Sequence, residues 1–461
     1  MAGQEDSTLT TQTADDLDQR GAILTVGFGT AVAMWAVGYV THLPELAAPR
    51  PLTLLLLLVA MLGGGVVVGR FTRFGVGGGV RAGLLTAAVN LLILGSLLGG
   101  DSPGSLGSVV PAAAIWLPGW LLFGAAAGAL GAWLGGRRDP RPLPEPRWRA
   151  AFAWVAALAT LMLLAVGGLV TSWEAGLAVI DWPNSFGYNM FLYPLGRMTG
   201  GIYYEHAHRL FGALVGLTML CLTAHLWRVE PRRWIRWLAA CASLLVLVQG
   251  LLGGLRVTGR FTTSQVPEAM QPSLALALLH GVLGQVFFSL IVALAAFTSP
   301  GWQIARPTPE KGAAIDRWLS KALVAVLLVQ LVLGALVRHL AAGVTLHVTL
   351  AMIATGLGLA AGFRALVIHG ERRPLQRLGG VLLLLFPVQL ILGVLTLVMT
   401  AAAGSAGAPG WGDVLVATAH QLTGAALLGS SVLLACWSHR LLAVARPSEE
   451  ALARQSAAGL T

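Results

Sequence analysis

The sequence is short of charge, of lysine and of cysteine, and each shortage removes a class of protein. Only 11% of its 461 residues are charged, against 56% hydrophobic and a mean hydropathy of +0.75. That is too little polar surface for a water-soluble globule. A formal net charge of +10 would suggest nucleic acid in a soluble chain, but 28 of the 30 basic residues here are arginines. They gather in short segments between apolar runs, as the positive-inside rule expects. Cys221, Cys241 and Cys436 all sit within apolar runs, which excludes a disulfide framework and a CxxC metal site and leaves histidine as the metal ligand. The first twenty residues are polar and acidic, without the regions of a signal peptide, so the first apolar helix is expected to be retained as an anchor.

What the chain has instead is long apolar runs. Twelve are long enough to cross a hydrocarbon core of roughly 30 Å, at about 21–41, 51–70, 82–100, 111–136, 150–171, 203–226, 235–256, 273–298, 318–338, 344–366, 377–401 and 413–437. The fold class is therefore an all-α polytopic membrane protein. Arginine clusters alternate along the linkers, at Arg70/Arg73/Arg81, Arg137 to Arg149, Arg228 to Arg236, Arg306/Lys311/Arg317, Arg364 to Arg377 and the tail. Every second loop is then cytoplasmic and both termini are inside, while loops 172–202, 257–272 and 402–412 face outward.

The stretch Arg137 to Arg149 interrupts the apolar pattern with four prolines and reads as a cytoplasmic linker, 137–149. Before it, residues 1–136 form a four-helix unit whose one histidine, His42, reads as a polar helix end. Its Gly63-Gly64-Gly65 and Gly77-Gly78-Gly79 runs suit close helix contacts or a bent loop. After it comes an internal duplication. His208 and His347 are 139 apart, and His280 and His420 are 140 apart. Val248-Gln249 through Gly253 matches Val388-Gln389 through Gly393 at 140, as His280-x3-Gly284 matches His420-x3-Gly424. Gly167-Gly168-Leu169-Val170 through Ala175-Gly176 matches Gly334-Ala335-Leu336-Val337 through Ala342-Gly343 at 167. The first repeat thus carries 27 extra residues (167 − 140) in its first outer loop. The domains that follow are a first four-helix repeat at 150–300, a second at 301–440 and a cytoplasmic tail at 441–461.

Each repeat has a histidine on its second and fourth helix. The topology puts His208, His280, His347 and His420 within about two turns of the outer helix ends, roughly 10 Å into the membrane. One buried histidine is usually a hydrogen-bonded interhelical group. Two at one depth on helices of one bundle are the usual way to ligate a haem iron axially, and four in register across a duplication favour that reading. Zinc competes poorly, because its sites generally add cysteine or carboxylate ligands.

The repeats differ where ionisable groups are concerned. At the 139 offset Glu205 corresponds to Val344 and Arg209 to Val348. Ionisable groups at membrane depth are functional candidates. Glu205 and His208, three apart, share a helix face, while His206 points elsewhere. Only the first repeat has the long aromatic loop from Trp173 to Pro194, which reads as a lid or binding element or as an amphipathic segment at the interface. Arg209 suits either an i+4 pair with Glu205 or a haem propionate, and Arg338 suits a propionate near His347. Whether His206 or His339 joins either site is left open.

Ala175-Gly176-Leu177-Ala178-Val179-x-Asp181-Trp182-Pro183, Glu205-x-x-His208-Arg209 and the paired-histidine repeat resemble the haem A synthase family over about residues 150–440. The resemblance implies an eight-helix bundle that binds haem b in its C-terminal half and handles haem O in its N-terminal half, oxidising the C8 methyl of the ring to a formyl group. Carried over, it implies His347 and His420 as haem b ligands, His208 and His280 flanking the substrate haem, Glu205 as catalytic carboxylate, and Asp181 and Trp182 as loop contacts. It also implies haem O synthase, oxidase-assembly proteins and a quinone or other redox partner, in a cytoplasmic membrane of bacterial type. The extra N-terminal helices lie outside the resemblance, and the outer-loop cysteine pair of some members is missing. The residues admit two other readings: a quinol-linked dihaem b-type electron carrier, and a transporter built from repeats.

Overall fold

The computed structural model describes residues 2–46, 48–95, 113–258, 273–403 and 409–444, with side chains from residue 20 onward. Parts of two outward loops and of the tail (259–272, 404–408 and 445–461) lie outside the described residues. A helix is the only single segment that satisfies its own backbone in lipid, and helices dominate. They are α1 (Ala2–Thr41), α2 (Arg50–Phe71), α3 (Gly75–Leu94), α4 (Ala113–Gly136), α5 (Glu145–Ser172), α6 (Gly200–Val229) and α7 (Arg233–Val257). These are followed by α8 (Leu274–Thr298), the short α9 (Pro300–Ile304), α10 (Ala313–Leu340), α11 (Val344–Phe363), α12 (Arg373–Ala403) and α13 (Trp411–Leu441). Among the described residues 12 helices are long and apolar enough to span a membrane, and the protein is an integral all-α membrane protein. Two two-residue strand pairs are the only sheet among those residues: β1 (Asn184–Ser185) antiparallel to β2 (Tyr188–Asn189), and β3 (Thr308–Pro309) parallel to β4 (Leu442–Ala443).

The chain folds as two compact units, residues 1–276 with 297–299, and residues 277–296 with 300–461. In the first, α4 is clasped by α2 and α3 through small residues. A methyl group on Gly83 would fall 2.0 Å from the Gly124 carbonyl oxygen, and one on Gly65 would fall 2.5 Å from that of Gly128. Lipid offers no hydrophobic drive for helix association, so close van der Waals approach supplies it. Helix α1 packs on α2, α3 and α5 and also reaches α6. There Tyr39 stacks on Tyr203 with centroids 5.4 Å apart, and Trp35 meets the edge of Phe211 at 5.4 Å. His42 ends α1, its Nδ1 2.8 Å from the Gly38 carbonyl oxygen.

At the end of α6 away from Glu205, arginines act as staples. Buried Glu230 accepts from Arg149 Nη1 at 3.0 Å and from Arg232 Nε at 2.6 Å, and Arg149 also pairs with Glu145 at 2.8 Å. Burial raises the Glu230 carboxyl, but the hydrogen bonds and charges of Arg232 and Arg149 outweigh it and hold the group below the usual carboxylate range. Part of the loop arginine that reads as topology is therefore structural.

In the second unit α10, α11, α12 and α13 form a ring in which each helix packs on the next and α13 closes on α10. Helices α11 and α13 are diagonal. Buried Leu323, Leu382, Phe386 and Leu428 fill the seams, and Phe386 seats where a methyl on Gly358 would lie 1.8 Å from its ring. Asp316 ties α10 to the end of α11, accepting from Arg364 Nε at 2.6 Å with His369 Nε2 at 3.0 Å.

Candidate functional site

Helix α6 begins at Gly200, where φ is +51°, three residues earlier than the apolar run suggests. Glu205 therefore sits in its second turn and His208 in its third. Glu205 is 4% exposed, and both carboxylate oxygens are occupied. The Val179 amide donates to Oε2 at 2.8 Å and Arg209 Nη2 donates to Oε1 at 2.8 Å. Arg209 also donates to three loop carbonyls, those of Val179 at 2.7 Å, Asp181 at 2.6 Å and Asn184 at 2.9 Å. Of the two roles open to Arg209 in the sequence, the geometry shows the pair with Glu205, together with a clamp on the long loop.

The loop is organised for that clamp. Asp181 accepts from the amides of Phe186 at 2.7 Å and Gly187 at 2.8 Å, holding the tight turn between β1 and β2, where both residues have positive φ. Trp182 lies on α7, where a methyl on Gly254 would stand 2.2 Å from its ring. His206 is fully buried beneath the loop, with Ser185 Oγ 3.1 Å from its Nδ1 and the Tyr193 ring centred 5.0 Å away. Burial lifts the Tyr193 phenol above its usual value against the opposing charge of Arg197. The loop is thus a packed cover over α6, tied by one arginine.

Three of the four histidines share a setting that the duplication only hinted at. A methyl on Gly167 of α5 would fall 2.8 Å from His208 Cε1, one on Gly334 of α10 3.1 Å from His347 Cε1, and one on Gly393 of α12 3.1 Å from His420 Cε1. In each case the imidazole lies against a bare glycine on the preceding spanning helix. In the second unit a glutamine completes the cradle. Gln330 Nε2 lies 3.4 Å from His347 Nε2, and Gln389 Nε2 lies 3.4 Å from His420 Nε2. Gln330 has no counterpart in the first repeat, where Leu163 stands at the matching offset, and sequence reasoning missed it. Gln389 and the three glycines were visible, but only as repeat anchors.

His347 and His420 sit on the diagonal helices α11 and α13, within electrostatic reach of each other. The Nδ1 atoms of both are buried with no hydrogen-bond partner. Imidazoles on diagonal helices, each with a buried spare nitrogen, fit a metal-bearing planar group that would lie between them. His280 lies on α8 among the residues of the second unit. Arg338 and His339 occupy the last turn of α10. No group of three or more histidine, cysteine or acidic side chains placed to hold a bare metal ion occurs among the described residues.

These features define a polytopic helical membrane protein of two histidine-bearing repeats, with a covered carboxylate in the first. The family model described as cytochrome oxidase assembly protein, COX15-CtaA, matches residues 150–352, and the chain is similar to two curated haem A synthases. The haem A synthase of Rhodopseudomonas palustris strain BisB5 is 31% identical over 229 residues, covering 43% of this chain and 59% of that protein. That of strain HaA2 is 30% identical over 237 residues, covering 44% and 60%. The chain spans about three fifths of the length of these curated relatives.

Proposed function

We propose that the chain is a haem A synthase, an oxidoreductase of a bacterial-type cytoplasmic membrane, with both termini cytoplasmic, that converts the C8 methyl of haem O to a formyl group. The observation that carries the reading is the asymmetry between repeats: similar histidine cradles, but only one with Glu205, Arg209 and a clamped loop. In this reading His347 and His420 hold a resident haem b, which supplies redox chemistry when bound. His208 flanks the substrate, and Arg338 is the propionate candidate of the second repeat. Successive hydroxylations of a methyl build cationic character beside the porphyrin. A carboxylate fixed by two donors in a water-poor setting stabilises that charge without having to reorganise. The loop excludes water, and Arg209 holds loop and carboxylate in one register. Haem O synthase, oxidase-assembly proteins and a quinone or other redox partner belong to the same reading.

A dihaem b-type carrier shares the histidines but gives no work to Glu205 or the loop. The discriminating experiment expresses the chain in cells that make haem O and lack their own haem A synthase, then extracts and separates the haems. Haem A is expected. Haem O alone, with b-type haem in the purified protein, would establish the carrier instead. Reporter fusions after Arg149 and Arg236 should be cytoplasmic and one near Asn189 external; the reverse pattern overturns the orientation.

A further inference from the structure

Three charges cluster where α6, α7 and the long loop meet, and only two of them are matched. Glu205 and Arg209 neutralise each other. Arg256, in the last turn of α7, is the third. It lies within electrostatic reach of Glu205, and a methyl on Gly176 would stand 2.7 Å from its Nη2 and 3.1 Å from its Cζ. Among the described residues it makes no hydrogen bond, and its Nε is buried and unpartnered. The helix end favours a cation through its dipole but gives this one no acceptor. A half-buried guanidinium whose buried Nε has no acceptor is costly, and its fork geometry matches a carboxylate.

The repeat shows that the cation is an addition. At the 140 offset Arg256 corresponds to Thr396. Gly176 corresponds at 167 to Gly343, where a methyl would meet nothing within 4 Å and which serves instead as a left-handed cap of α11 with φ +81°. Glu205, Arg209 and Arg256 are thus replaced together in the second repeat, by Val344, Val348 and Thr396. Arg209 has its donors committed to Glu205 and the loop, so it is not the group left over to meet an anion.

We infer that Arg256, laid on the bare Gly176, is the carboxylate-binding residue of the first-repeat site and takes a propionate of the haem substrate. This rests on the haem O reading of that site. Once the carboxylate is bound, the cluster carries two cations and two anions and is neutral, which is how charges survive at this depth. Arg256 thereby fixes which way round the porphyrin enters.

The test is a Soret difference titration of the purified protein, its resident haem in place, with haem O as the free diacid and as its dimethyl ester. Wild type, Arg256→Gln and Arg256→Lys are compared by the ratio of the two affinities, so partition into detergent cancels. The wild type should prefer the diacid. Arg256→Gln should lower diacid affinity by on the order of ten- to hundredfold, the scale of a charge-assisted hydrogen bond, and leave ester affinity unchanged. Arg256→Lys should keep part of the preference. Equal weakening of both forms in Arg256→Gln would mean that Arg256 only packs against Gly176, and equal affinity of the wild type for both forms would also overturn the inference. A wild type that binds neither form would overturn the haem O reading along with it.

Discussion

Tyr204 donates its hydroxyl proton to Glu45 over 2.6 Å, so the residue immediately before Glu205 is moored to the turn that follows α1. Its neighbour Tyr203 donates to the Tyr39 carbonyl over 2.6 Å. The N-terminal unit, which has no counterpart in the resemblance, thus holds the start of α6 by two phenols.

Tyr204→Phe keeps the ring that stacks on Trp173 at 5.9 Å and removes only the hydroxyl. The expected result is a loss of about 1.5–3 kcal/mol in unfolding free energy, as for one hydrogen bond to a charged acceptor, and a several-fold fall in haem A production at unchanged haem content. Turnover equal to wild type would show that the mooring does not reach Glu205.

Glu205→Gln is less gentle than its size suggests, since both oxygens accept and an amide must turn its NH2 toward a donor. If the charge serves the reaction, haem content survives and turnover falls on the order of a hundredfold or more. If Glu205 only matches Arg209, breaking the buried pair costs about 3–5 kcal/mol and haem is lost. The double variant Glu205→Gln/Arg209→Gln separates the two readings. It should recover haem content without recovering haem A, and recovery of both would remove Glu205 from the chemistry.

How far the sequence discloses this arrangement differs from residue to residue. Twelve spans, the duplication and the four histidines are written in long apolar runs and fixed offsets, because lipid enforces helix length and a repeat preserves spacing. The partners of Arg209 are not legible. A guanidinium at i+4 from a carboxylate suits a pair or a ligand equally, and only the path of the loop brings three carbonyls to it. Gln330 is hidden for a related reason: a single amide inside an apolar run has no periodicity. Arg256 looks like one more arginine at a helix end until Gly176 is seen beneath it.

In the second unit, His347→Ala or His420→Ala should abolish the b-type absorbance of the purified protein while its circular dichroism stays helical. Gly334→Ala and Gly393→Ala are subtler. Each puts a methyl 3.1 Å from an imidazole carbon, so the ring must shift by a few tenths of an ångström, and the haem should be retained with a displaced Soret band and midpoint potential. Full b-type absorbance in both histidine variants would refute the ligand assignment.

The Glu230 staple carries a pH dependence. Its folded-state carboxyl titrates below the usual range, so it contributes stability above that range, and the contribution drains away as pH falls through the folded value. Thermal midpoints of the wild type should therefore drop on acidification more steeply than those of Glu230→Gln, the two curves converging at the acid end. Parallel curves would show that the arginines give Glu230 no net advantage.

The glycine clasp of α2, α3 and α4 is made among residues that all precede α5 in the chain. Synthesis runs from the N-terminus and domains fold as units in that order. The carbonyl of Tyr39 and the carboxylate of Glu45 can thus stand in position before the segment carrying Glu205 has been made. The four leading helices act as a template built in advance, and the most demanding stretch of the chain is fitted to a finished surface.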